Sequence, residues 1–107
     1  MIIVNTETIA GKKIVSNVGY VKGSIIQARH VGKDILAGLR GIVGGEIKEY
    51  TELMDDARKK AMKRMVDEAT AKGANAIVNI RFMTAQVAQG AAEILVFGTA
   101  VIVEDDN

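Results

Sequence analysis

The run Ile94 to Val103, ILVFGTAVIV, holds no charged side chain and is apolar at both parities. Successive side chains of a strand point to opposite faces. Ile94, Val96, Gly98, Ala100 and Ile102 therefore share one face, and Leu95, Phe97, Thr99, Val101 and Val103 the other. A strand of this kind needs cover on both sides. Each large side chain left wet forfeits about 1.5–3 kcal/mol of burial, a large share of a small domain's stability.

One element long enough to cover a sheet is legible, Glu46 to Lys72. Ile47, Tyr50, Met54, Ala57, Ala61, Met65 and Ala69 recur every three or four residues and form one apolar stripe on a helical period. Acids come early (Glu46, Glu49, Glu52, Asp55, Asp56) and bases later (Arg58, Lys59, Lys60, Lys63, Arg64), which suits the helix dipole. Asp55 with Lys59, and Asp56 with Lys60, are expected to pair one turn apart, and Gly73 to cap the C-terminus.

The rest reads as strand. Residues 2–29 are rich in Val, Ile and Thr and suggest one or two short strands, then a longer one from Lys12 to Arg29 with bulges or close backbone approaches at its glycines. His30 to Gly45 suggests a short helix or turn near Asp34 to Arg40, then a glycine-rich loop. Ala76 to Met83 alternates, placing Val78, Ile80 and Phe82 on one side and Asn79 and Arg81 on the other. Thr84 to Ala92 reads as a loose hairpin connection. The expected fold is α+β and two-layered: one domain over residues 1–107, with one long helix on an antiparallel sheet.

A single helix covers a single face. Small Gly98 and Ala100 suit close packing against Ala57 and Ala61, so the even face of the last strand is assigned to the helix. The odd face is then an oligomer interface, with Leu95, Phe97, Val101 and Val103 as its residues and a second copy of the chain as its partner. The alternative cover is the loop at residues 30–45.

Composition limits what such an assembly does. Of 107 residues, 14 are Lys or Arg and 13 Asp or Glu, so no net field draws nucleic acid or an anionic membrane surface. There is no cysteine, hence no disulfide, thiolate nucleophile or thiolate metal ligand, which fits a cytoplasmic protein. The first residues show neither a basic leader nor the long apolar stretch of a signal peptide. The longest apolar run, Ile94 to Val103, is about half the roughly 20 residues of a membrane-spanning helix.

Candidate chemistry is sparse. His30 is the one histidine and the one weak metal candidate; with no Cys beside it, it reads as structural. No Ser-His-Asp or Cys-His set can be drawn without it, so the chain is expected not to be an enzyme and no cofactor is identified. Gly38, Gly41, Gly44 and Gly45 precede a helix, which makes Arg40, Gly44 and Gly45 a possible anion loop. The pattern matches neither common phosphate loop, and Glu46 would oppose an anion there. Met54, Met62, Met65 and Met83 read as core and gap filler rather than a soft-metal box.

Several segments together carry a resemblance: Gly19-x-Val21-x-Gly23, Ile42-Val43-Gly44-Gly45 with Tyr50, Ala57-Arg58-x-x-Ala61, Gly73-Ala74-Asn75-Ala76-Ile77-Val78 and Phe97-Gly98-Thr99-Ala100-Val101. In this order and spacing the chain resembles the YbjQ-like bacterial family over nearly its whole length. The resemblance implies a dodecin-like β-α-β-β subunit, assembled as a ring-like homopentamer with extra short strands joining the subunits. That family has carried a heavy-metal-binding label, so a metal ion or a small ligand at subunit interfaces is among the partners it implies. No functional residue is carried over, and the absence of cysteine and the single histidine set this chain apart from soft-metal sites.

Overall fold

Ala57, Ala61, Met65 and Ala69, one stripe of the long helix, are fully buried, and that stripe organises the molecule. The structure is a computed structural model that describes residues 1–28 and 48–107, with side-chain surroundings for 1–27 and 51–107. The expected short helix at 34–40 and the start of the long helix, with the Ile47 and Tyr50 side chains, lie outside the described residues. The elements in order are β1 (Ile2–Ile3), β2 (Lys12–Ala28), α1 (Lys48–Ala71), β3 (Ala76–Ala88) and β4 (Ala91–Asp105). They make one α+β layer pair, a four-stranded mixed sheet in the order β1-β3-β4-β2 beneath α1. The three long strands are antiparallel as expected; β1 adds a parallel pairing, Ile2 beside Ala76 and Ile3 beside Ile77.

The helix ends as its sequence dictates. Gly73 takes φ 83°, Ala74 N donates to Ala69 O at 3.1 Å, and Gly73 N donates to Thr70 O at 3.0 Å. These are the paired bonds of a Schellman cap, and both Ala69 and Ala74 join the core. On the wet face Asp56 pairs with Lys60 at 2.9 Å as anticipated, whereas Asp55 reaches Arg58 at 3.0 Å instead of Lys59. Three- and four-residue spacings are both neighbours on a helix, and the longer Arg side chain takes the shorter one.

The helix packs on β2 and β4. Val21, Ile77, Ile94, Val96 and Ala100 are fully buried in the same core, which confirms the even face of the last strand as the helix face. Contact is closest at Gly23, where an added Cβ would overlap the Ala61 carbonyl oxygen. The strand glycine is therefore a close-approach site. β2 is also irregular as expected, with register shifts between Ile14 and Ser16 and between Asn17 and Gly19.

Two expectations are corrected. First, the alternation of Ala76 to Met83 does not run through: β3 pairs Val78 with Thr99 and next Arg81 with Phe97, so Asn79 and Ile80 together oppose Gly98. Asn79 sits at φ 56°, and the bulge reverses the facing of every residue after it. Val78 thus lies with Val101 and Val103, while Ile80 packs on the helix side. Second, there is no loose connection at 84–92: β3 runs to Ala88, β4 begins at Ala91, and the turn occupies Gln89 and Gly90.

Candidate functional site

The odd face of β4 divides in two. Val101 and Val103 are 0% and 6% exposed, and with Ala76 and Val78 they form a second cluster packed by Ile2, Val4 and Ile9. The chain's own N-terminal segment supplies that cover, so these two valines need no second subunit to be dry. This corrects the assignment of the whole face to a partner. The sequence hid it because a polar stretch, Asn5 to Thr8, with no strand signature of its own, separates Ile2 and Val4 from Ile9. Leu95 and Phe97 lie above the covered zone and stay half-buried, flanked across the sheet by Ser24 and Met83, and by Lys22 and Arg81, respectively.

The two edges of the sheet differ. Along β2, α1 places cations on outward carbonyls: Arg64 Nη1 donates to Ser24 O at 2.6 Å and Lys72 Nζ to Tyr20 O at 3.5 Å. Along β3, β1 pairs only as far as Ile77, and the backbone bonds of the N-terminal segment end at Asn79 and Ile80. Residues 81–88 beyond them are exposed throughout, including Phe82 (43%), Met83 (57%) and Val87 (51%). Among the described residues no side chain caps the backbone of 82–88.

Where the N-terminal segment leaves β3, a notch opens. Ile3, Val4, Asn5 and Thr6 line one side and Ile80, Arg81 and Phe82 the other, around a volume of about 930 Å³. The bulge makes it. Asn79 N donates to Thr6 O at 3.0 Å and Ile80 N to Val4 O at 3.3 Å, which fastens the segment to the bulged residues and leaves the next ones open. Arg81 is held rather than trailing: its Nη1 donates to Asn5 O at 2.9 Å and to Ile80 O at 2.8 Å. It has no carboxylate partner among the described residues. Strand alternation places Arg81 with Asn79 on a polar side of the strand, beside the apolar face of β4, and gives it no ligand-binding role. Asn79 tolerates left-handed backbone better than most residues, but nothing else in the strand announces a bulge.

The residues fit a heavy metal poorly. The chain has no cysteine and one histidine, and His30, with the loop residues Arg40, Gly44 and Gly45, lies outside the described residues. Among the described residues no three of His, Asp and Glu converge. Asp55, Asp56, Asp67, Glu68 and Asp105 are instead paired with Arg58, Lys60, Lys63, Lys72 and Lys12. Such hard, compensated carboxylates are not the thiolate and imidazole donors that soft metals take.

Comparison with known proteins places the chain. Residues 1–104 match a family model, YbjQ_1, described as "Putative heavy-metal-binding". The chain belongs to the YbjQ family. A UPF0145 protein of Dehalococcoides mccartyi is 61% identical over 104 residues, covering 97% of this chain and all of that one. A UPF0145 protein of Methanosarcina acetivorans is 57% identical over 94% of this chain and 95% of its own length. One from Clostridioides difficile is 54% identical over 100% of this chain and 96% of its own. Their names state no activity, and the archaeal member takes the family beyond bacteria. A crystal structure from Pediococcus pentosaceus, described as a DUF74 protein of unknown function, superposes with TM-score 0.68 at 15% identity. The match covers 97% of this chain and 98% of that one, and it supports the fold alone. Among the described residues no helix is long and apolar enough to cross a membrane.

Proposed function

We propose that this YbjQ-family chain is a non-enzymatic building block that associates with copies of itself and holds small ligands where the copies meet. The count of five per ring is the one its family resemblance implies. The observation that carries the reading is the outer edge of β3: residues 81–88 are exposed, and Phe82, Met83 and Val87 are large apolar side chains on it. Edges of this kind are usually blunted by cations, bulges or cover. The helix blunts β2 with Arg64 and Lys72, while among the described residues nothing covers β3 from Arg81 to Gln86, beside half-buried Leu95 and Phe97, and a bulge interrupts the edge only at Val87. A second copy adding there would satisfy the backbone and dry the side chains together.

The residue inventory supports a role without catalysis, since one histidine and no cysteine give little from which to build a nucleophile and its base. Lack of cysteine also suits the cytoplasm. Light scattering on a gel-filtration column tests the assembly: the reading expects a mass several times 11.4 kDa, near five times it for the pentamer. A peak at 11.4 kDa throughout the micromolar range would remove it.

A further inference from the structure

We propose that the sheet face opposite the helix carries a second self-association surface, on which two copies pack face to face about a two-fold axis with Lys22 on the partner's Glu93. This goes beyond the preceding reading, because it uses side chains of β2 and β4 and not the backbone edge of β3. The ladder from Tyr20 to Ala28 runs without a register shift and sets Lys22 beside Phe97, Ser24 beside Leu95 and Ile26 beside Glu93. Residues directly opposite each other share a face. Ile94 and Val96 are buried under α1, so these six lie on the other side of the sheet. The N-terminal cover packs on Val101 and Val103, further along that face.

The patch carries opposite charges at its two ends. Phe97, Leu95 and Ile26 form its apolar middle, the first two half-buried and Ile26 59% exposed. Lys22 stands at one end and Glu93 at the other, with the Ser24–Leu95 pair between them. Among the described residues neither has an ion-pair partner. A two-fold interface is self-complementary, each contact being made twice. An axis through the Ser24–Leu95 pair therefore lays each Lys22 end on a Glu93 end and seats the apolar middles against each other. Aligned sheets pack about 10 Å apart with strand directions within about 30°, a gap that a Lys and a Glu side chain together span. Stacking with the strands running the same way brings like charges to the same end. A charge pattern complementary to itself when turned end for end identifies a second copy as the occupant.

The test treats a mixture of unlabelled and ¹⁵N-labelled full chain with a water-soluble carbodiimide, which joins a lysine amine to a carboxylate in contact with it, and reads the linked peptides by mass spectrometry. Links between Lys22 and Glu93 with one labelled and one unlabelled half are expected. In sedimentation, Lys22→Glu and Glu93→Lys should each weaken association through this face by about tenfold or more, and the chain carrying both should recover it. The proposal is overturned by an absence of mixed-label links, by links from Lys22 to helix carboxylates such as Asp55 or Asp56 in place of Glu93, or by a doubly substituted chain no better than the single variants. The cross-linking needs no variant, so it stands even if a substitution loosens the fold. Light scattering on the same samples reads association through any surface, so an assembly that forms without the Lys22–Glu93 link leaves the β3-edge reading standing and removes this one.

Discussion

Asn75 holds Val103 by both of its backbone groups: Asn75 Nδ2 donates to Val103 O at 2.9 Å, and Val103 N donates to Asn75 Oδ1 at 2.8 Å. The side chain acts as one more residue of strand ladder, just where the chain leaves the helix cap and enters β3. Its backbone continues the pattern, with Asn75 N donating to Val101 O at 3.1 Å and Ile2 N donating to Asn75 O at 3.2 Å. One residue thereby ties helix end, β4 and β1 together.

Asn75→Ala should therefore cost about 1–3 kcal/mol, since it leaves both Val103 groups without their partner. Asn75→Asp keeps the acceptor and loses the donor, and should still destabilise. Urea unfolding measures both; a change within about 0.5 kcal/mol, the range of ordinary surface substitutions, would show the bonds to be dispensable.

Gly23 and Gly98 differ in what surrounds them, and their alanine variants should differ accordingly. At Gly23 an added methyl meets helix backbone at Ala61, so α1 must lift, at a cost of about 3 kcal/mol. At Gly98 it meets Ile77 Cγ2 at 2.9 Å, Ile80 Cγ2 at 3.0 Å and Val78 O at 3.0 Å. The Ile methyls sit on Cβ and shift only with χ1, but the overlap at Gly98 is smaller than the one with helix backbone at Gly23, so Gly98→Ala should be the milder. Equal midpoints of thermal unfolding would contradict the ranking.

The cover over Val101 and Val103 is a contact the chain makes with itself. The double variant Val4→Ser, Ile9→Ser should expose that cluster, increase binding of a hydrophobic dye and lower stability by roughly 2–4 kcal/mol, given about 1.5–3 kcal/mol per buried aliphatic side chain and incomplete burial of both. Unchanged dye binding and stability would mean that the cluster is dried by something else.

Lys12 hydrogen-bonds and attracts Asp105, which holds the Asp105 carboxyl below its ordinary value. A depressed carboxylate pKa favours the fold above the unfolded-state value, and that contribution is lost as the pH falls through the lower folded value. The pair is exposed, so the effect on stability is small. Titration of the Asp105 carboxyl carbon by NMR should show the depression, and Lys12→Met should return the carboxyl toward the ordinary range. An identical titration in both proteins would contradict it.

What the sequence made legible follows periodicity. Ala57, Ala61, Met65 and Ala69 fall on a helical period that packing has no reason to disturb, and Gly73 caps them as its position implies. The even face of β4 is legible for the same reason. The bulge is not. The segment Ala76 to Met83 alternates without a break, and only the bonds from Asn79 to Thr6 and from Ile80 to Val4, made by residues more than seventy positions away, reverse it. The notch and Arg81 depend on that reversal, so they were hidden with it. The folding of Ile2, Val4 and Ile9 over Val101 and Val103 was hidden because three scattered apolar residues carry no period.

The account rests most heavily on the open edge of β3, and Met83→Lys with Val87→Lys tests it directly. Both side chains are exposed, so the substitutions should leave the far-UV circular dichroism unchanged while placing cations on the edge. Light scattering should give a mass several times 11.4 kDa for the wild type and a shift toward 11.4 kDa for the double variant. A wild-type monomer, or an assembly that the two lysines leave intact, would contradict association through this edge.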